Sequence, residues 1–381
     1  MWTCGIKVLC GLLFLGMCQP RAGWSATDQI VIPLHTWIAR PVPRQGQGPS
    51  GPMKHMRLAH NPVNGRIYFE GGDYRGPTGM DSGRNETYSY SIKDGDWQLE
   101  YPYCAPAGEL QPSHPDEVGW VYDTKRNLFW MVPGYMGGAG AGTADNGKCP
   151  QSPSTMIRSE LMSFDPVTRK WDFPRRKSSA SIGLIPGNQR FAQYDPGTDT
   201  IIQFGYDNLP FVAIYDLQAD TWSKKRFTGN ARLGGEYSAI DVEKRLIYVI
   251  EPSERERSKL YRVKIDTKEF TLLCDAPQAT FKQAQPVWDS VNKVMLWFAD
   301  RYDEHIEQVG KFHVYHPDTN TWEEDRPMHQ PEGLIVRGNH VVFDPYQNVL
   351  LLMGGLYPNA NPSLFLYRYG NGVKKRDGDG S

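Results

Sequence analysis

Cysteine is scarce in this chain, with six in 381 residues, and three of them (Cys4, Cys10, Cys18) fall within the first eighteen positions. None of the spacing matches a zinc site, which excludes a small domain held together by metal. Neither sign of charge is in excess. With 42 basic against 43 acidic residues, nothing steers the chain toward nucleic acid or an anionic membrane. Long apolar runs are missing too: the one candidate, VLCGLLFLGMC at Val8 to Cys18, is too short to span a bilayer. The glycine run Gly137 to Gly142 lacks the G-K-[ST] ending of a phosphate loop and reads as a flexible connection.

That apolar run follows a weakly basic lead, MWTCGIK, and so reads as a secretory signal peptide over residues 1–26, cleaved between Ala22 and Ala26. The expected location is secreted or periplasmic, with no membrane span in the mature chain. Removal of the leader leaves 40 basic against 43 acidic residues. In an oxidising compartment, Cys104 and Cys149, both in Pro/Gly-rich loops, are expected to pair and to leave Cys274 free. The charged end, residues 371–381, reads as a disordered tail.

Turn formers are abundant instead. With 38 Gly, 29 Pro and 12% aromatics, the composition points to an all-β chain. Within it one signature recurs: a short strand, Asp or Asn, a turn, then a continuous apolar strand. The six copies begin at Ala59, Val121, Gln193, Ala239, Val287 and Val342, for example QYDPGTDTIIQFGY and VFDPYQNVLLLMGG. Anchored on Asn61, Asp123, Asp195, Asp241, Asp289 and Asp344, the copies are 62, 72, 46, 48 and 55 residues apart, the period of a four-stranded propeller blade with two enlarged copies. A second signature follows in five of them, an aromatic strand, a turn, and Trp97, Trp171, Trp222, Phe270 or Trp322. One such sheet cannot bury both of its faces, whereas six stacked around an axis can.

The sixth copy has no Trp strand after SLFLYRYGNG. The mature N-terminus carries the missing piece, HTWIARPVP at His35 to Pro43. The expectation is therefore a six-bladed propeller over residues 27–370 with four-stranded blades, closed by the N-terminal strand, and monomeric.

Apolar strands that end in a Gly pair (IYFEGG, LLLMGG), followed by an aromatic strand and a Trp six residues after Asp (FDPVTRKW, YDLQADTW), resemble the Kelch family over residues 35–370. That resemblance implies a Kelch-type propeller and leaves function open, since such propellers include intracellular scaffolds, a copper oxidase, a sialic acid mutarotase and polysaccharide lyases. The copper enzyme needs a Cys fused to Tyr and one blade more than this chain has, and no sialidase S-x-D-x-G-x-T-W box occurs.

Chemistry is expected at the end where the long loops emerge, including Gly71 to Tyr88 and Pro133 to Arg158. Residues four and six before each anchor lie on one side of the inner strands. They include Arg57, Tyr237, Gln285 and His340, and His55, Glu117 and Gln189, with Arg190 and Glu236 adjacent. Tyr135, Tyr302 and Tyr357 come from the rim loops. Two readings stand. One is a binding module for a carbohydrate or protein partner, with aromatic faces for sugar rings and with Glu117, Gln189, Arg190, Glu236 and Gln285 for directional hydrogen bonds. The other is a carbohydrate-active enzyme, a polysaccharide lyase or a sugar epimerase or hydrolase. Its lyase version takes Arg57 as the cation for a uronate carboxylate, His55 or His340 as base and Tyr237 as acid. Glu117 with Glu236 would make a hydrolase pair. No cofactor follows from the sequence, and the carboxylates of DRYDE (Asp300 to Glu304) lack the spacing of a calcium loop.

Overall fold

A computed structural model describes residues 30–40, 53–54, 57–75, 81–102, 105–106, 109, 111–112, 119–132, 156–157, 161–176, 192–204, 211–226, 237–251, 257–277, 286–298, 312–325, 340–354 and 363–371. The signal peptide expected at residues 1–26 and all but the first residue of the expected tail lie outside them.

The described residues form strands and turns, arranged as six antiparallel four-stranded blades. Strand β1 (Trp37–Arg40) and the short β2 (Met53–Lys54) precede blade 1, which is β3 (Arg57–Asn61), β4 (Arg66–Arg75), β5 (Asp81–Ser91) and β6 (Trp97–Tyr101). Blade 2 is β8 (Gly119–Asp123), β9 (Leu128–Val132), β11 (Leu161–Asp165) and β12 (Lys170–Arg176). The connections into and within it carry β7 (Gln111–Pro112) and β10 (Met156–Ile157). Blade 3 runs from β13 (Ala192–Asp195) through β14 (Thr200–Phe204) and β15 (Phe211–Asp216) to β16 (Thr221–Arg226). Blade 4 contains β17 (Ser238–Asp241), β18 (Leu246–Glu251), β19 (Ser258–Lys264) and β20 (Phe270–Ala276). In blade 5 they are β21 (Val287–Asp289), β22 (Val294–Phe298), β23 (Phe312–His316) and β24 (Thr321–Asp325). Blade 6 has β25 (His340–Asp344), β26 (Val349–Gly354) and β27 (Ser363–Tyr367) from the C-terminal end, and β1 completes it.

The repeated aromatic explains the closure. Across each outer pair of strands a ring on the fourth strand packs on a ring of the third, with centroids 5.0 Å apart for Tyr215 and Trp222 and 5.2 Å for Tyr315 and Trp322. Trp37 lies opposite Tyr367 in the register at 5.0 Å, so β1 repeats the motif with a strand from the other end of the chain. A clamp secures the junction: His35 Nδ1 lies 3.0 Å from Asp325 of blade 5, whose carboxylate also accepts the Tyr367 hydroxyl, and Arg368 donates to the carbonyls of Ile30 and Gln347 at 2.9 Å.

Burial follows the blade seams. Six apolar clusters occur among the described residues, and each joins two neighbouring blades. The outer aromatic of every blade packs into the seam with the blade before it: Trp171 against blade 1, Trp322 against blade 4 and Trp37 against blade 5. No blade has a core of its own, which is why one strand pair would not fold alone.

The anchors do their work at the opposite end from the long loops. Each anchor side chain accepts backbone N–H groups two or three residues on, as Asp289 does from Val291 (2.9 Å) and Asn292 (2.8 Å). This is the Asx device that lets Asp and Asn initiate turns. The turn then closes on a residue at positive φ, such as Asn127 (55°) or Asn348 (51°), where Asn fits with little strain. These turns also tie blade to blade. Asn61 donates to Asn127 at 3.2 Å, Arg126 makes a bidentate pair with Asp199 at 2.7 Å, and Arg245 reaches Asp195 at 2.7 Å. Lys293 pairs with Glu243, Asn292 donates to Asn348 at 3.2 Å, and His60 lies 3.5 Å from Asp344. A polar belt thus crosses every seam at the turn side.

Candidate functional site

The two ends of the propeller are built differently. At one end every hairpin turn within the blades is four or five residues long. At the other, connections range up to the 28 residues between Val132 and Leu161. Two of the long connections pair with each other there, since β7 and β10 form a parallel ribbon, Met156 opposite Gln111 and Ile157 opposite Pro112. Blade 1 also extends at this end. Beyond a bulge at Glu70 to Gly72, β4 and β5 continue as a ribbon from Gly72 opposite Arg84 to Arg75 opposite Asp81. Strand β2 adds to its edge, Met53 opposite Tyr74 and Lys54 opposite Asp73. The result is a three-stranded arm at the loop side.

The heads of the inner strands meet this end. Arg57 and His340, both four residues before their anchors, head β3 and β25, which are neighbours at the seam between blades 6 and 1. Tyr237 lies immediately before β17 in blade 4, across the ring from Arg57. His340 is 5% exposed. Tyr237 is 3% exposed and packs with Tyr248, Ile250, Trp297 and Tyr315 in the seam between blades 4 and 5. Gly119, at the same level in blade 2, faces blade 3 so closely that a Cβ there would lie 2.7 Å from that of Ala192. At Tyr237 and Gly119 the strand side that carries these positions meets the next blade. Gln193, one level lower, joins the inner strands of blades 3 and 4 by donating to the Ser238 carbonyl at 2.9 Å.

Of the other expected residues, His55, Glu117, Gln189, Arg190, Glu236, Gln285, Tyr135, Tyr302 and Tyr357 lie outside the described residues, as do Cys104 and Cys149. For Arg57 the structure gives the backbone and its pairing with Glu70. Cys274 is a free thiol on β20, and burial pushes it up. Among the described residues no group of His, Cys, Asp and Glu is placed to hold a metal ion. Among the described residues no helix is long and apolar enough to cross a membrane.

One group at this end was not anticipated. Glu70 is 1% exposed; its Oε2 accepts the Thr87 hydroxyl and its Oε1 has no hydrogen-bond partner among the described residues. Burial above all, with the nearby charge of Glu86, holds this carboxyl well above the usual carboxylate range against the opposing Thr87 bond. A period-two alternation marks Glu70 as inward-facing, the one signal in the sequence that could have found it.

Fold and site together define the class: a closed six-bladed β-propeller with a plain turn side and an elaborated loop side. No protein-family model matches the chain, and no curated protein matches its sequence. Solved structures similar to it include two propellers. TolB from Acinetobacter baumannii is 13% identical with a TM-score of 0.43, the match covering 71% of this chain and 53% of that one. YjhT is 14% identical with a TM-score of 0.45, covering 72% and 84%. The chain therefore spans about half the length of that TolB.

Proposed function

We propose that this chain is an exported Kelch-type propeller that binds carbohydrate through its loop side. The observation that carries the reading is the asymmetry between the two ends, short capped turns on one and long, partly paired connections with a projecting arm on the other. Long connections on a rigid scaffold are where binding residues concentrate. The rim tyrosines Tyr135, Tyr302 and Tyr357 supply stacking faces for sugar rings, and Glu117, Gln189, Arg190, Glu236 and Gln285 supply directional hydrogen bonds. The burial of Tyr237 among aromatic rings favours binding over proton transfer from that phenol to a leaving group.

Affinity electrophoresis of the mature chain through gels cast with neutral and uronate-rich polysaccharides tests this, with size-exclusion profiles of each polymer after incubation. Retardation by one polymer with unchanged chain length is expected. Shortened chains would move the assignment to an enzyme, with Arg57 and His340 as the first residues to replace. No retardation by any polymer would overturn the carbohydrate reading and leave a protein partner.

A further inference from the structure

Blade 1 departs from its five siblings at one buried position. The residue nine places after each anchor lies on the second strand of its blade, and in blades 2 to 6 it is Val132, Phe204, Ile250, Phe298 and Met353. In blade 1 it is Glu70. A carboxyl in a layer that is otherwise apolar is costly unless it is neutral or paired. Glu70 has one hydroxyl partner, an orphaned second oxygen, and no cation within ion-pair distance among the described side chains. Its position is also mechanical. It is the last residue in regular register before the β4–β5 bulge, where one residue of β4 lies against two of β5 and the arm begins.

We propose that Glu70 is a pH-operated latch at the root of the blade 1 arm. Its neutral form closes the end of the seam between blades 1 and 2, and its ionised form opens it.

The surroundings give the direction. On β5, Glu86 is 6% exposed and its charge adds to the burial of Glu70 in opposing ionisation. Further out, opposite Thr87, Tyr101 gives its hydroxyl to Glu109 at 3.4 Å, so no positive charge comes from that side. Blade 2 presents an apolar surface to this seam, and its nearest cations are engaged, Arg169 with Glu100 and Lys170 with Glu109, each at 3.1 Å. The remaining charged position is Arg57, opposite Glu70 on β3. When the seam opens, Glu70 meets water and its carboxyl returns toward 4.5. The native value is raised, so the closed form is favoured most at low pH. Opening then grows about tenfold per pH unit from about 4.5 up to the raised native value, where it levels off.

Hydrogen exchange of the intact protein between pH 4 and 9, corrected for intrinsic rates, reads this directly. Protection over residues 66–75 and 81–91 falls about tenfold per pH unit across that window, while blades 3 to 5 stay flat. Glu70→Gln, which keeps the shape and the Thr87 bond, removes the slope, and Glu86→Gln shifts the profile without removing it. A wild-type profile in blade 1 no steeper than in the other blades would overturn the proposal. So would a Glu70→Gln protein that keeps the slope, or one that melts below the wild type at pH 7, since Arg57 would then be holding an ionised carboxylate.

Discussion

Replacing Trp37 with Ala attacks the point where the ring closes without a chain connection, the pairing of β1 with β27 inside blade 6. Trp37 is 4% exposed, packs on Tyr367 at 5.0 Å and edge-on to Phe365 at 6.4 Å, and joins the cluster between blades 5 and 6. A buried Trp removes roughly 150–250 Å² from water, which at about 25 cal/mol per Å² is about 4–6 kcal/mol. Truncations of this kind cost about 3–5 kcal/mol when the site partly relaxes. That is a large share of a domain stability of about 5–15 kcal/mol. Urea unfolding followed by tryptophan fluorescence and far-UV circular dichroism should show Trp37→Ala destabilised by about 4 kcal/mol. Val31→Ala, six residues earlier and 92% exposed, should shift by less than about 0.5 kcal/mol. Equal shifts for the two variants, or a chain lacking residues 27–43 that melts like the wild type, would refute closure by β1.

Three further outcomes follow from the belt and the cysteines. Arg126→Ala strips a bidentate partner from Asp199, itself 2% exposed, and should cost about 3 kcal/mol at pH 7 in urea melts. The Arg126 hydrogen bonds, ahead of the opposing burial, hold the Asp199 carboxyl down at about 2. A depressed carboxyl stabilises the fold above its unfolded value of 3.8 and loses that contribution as pH falls through about 2, so the gap between variant and wild type should narrow over that window. Lys293 occupies in blade 5 the place that Arg245 occupies in blade 4, four residues after the anchor, yet it pairs with Glu243 and leaves Asp241 Oδ2 without a partner among the described residues. Lys293→Arg should reach that buried oxygen and raise stability by about 1 kcal/mol, measured as a rise in the urea midpoint. Alkylation of the unreduced, denatured mature protein should label Cys274 alone if Cys104 and Cys149 pair, read as a single adduct by intact mass.

The blades could be read from the sequence because each Asp or Asn anchor performs a local task, capping its own turn, and local tasks leave a fixed spacing. The closing strand was legible for a similar reason: HTWIAR carries the outer-strand aromatic without the strands that should precede it, and Trp37 indeed faces Tyr367. What alternation could not give is the identity of the surface that a strand face meets. Tyr237 lies on the strand side expected to carry the site, and Gly119 holds the same place in blade 2, but blade packing sets them against aromatic rings in one case and Ala192 in the other. Glu70 was hidden for another reason. Its peculiarity lies in partners brought from β5, and a lone Glu at the end of an apolar strand gives no sign that its charge will go uncompensated.

The proposed carbohydrate binding at the loop side is tested most sharply by comparing variants at the two ends of one molecule. Titration of the best-retarding polysaccharide from the panel into the mature protein by calorimetry should lose at least about tenfold in affinity, equivalent to about 1.4 kcal/mol, in Tyr135→Ala or Tyr302→Ala. It should remain unchanged in Val63→Ala and Val167→Ala, whose exposed side chains (53% and 75%) lie on the turn side. Equal affinity in the tyrosine variants, or loss confined to the turn side, would contradict the account.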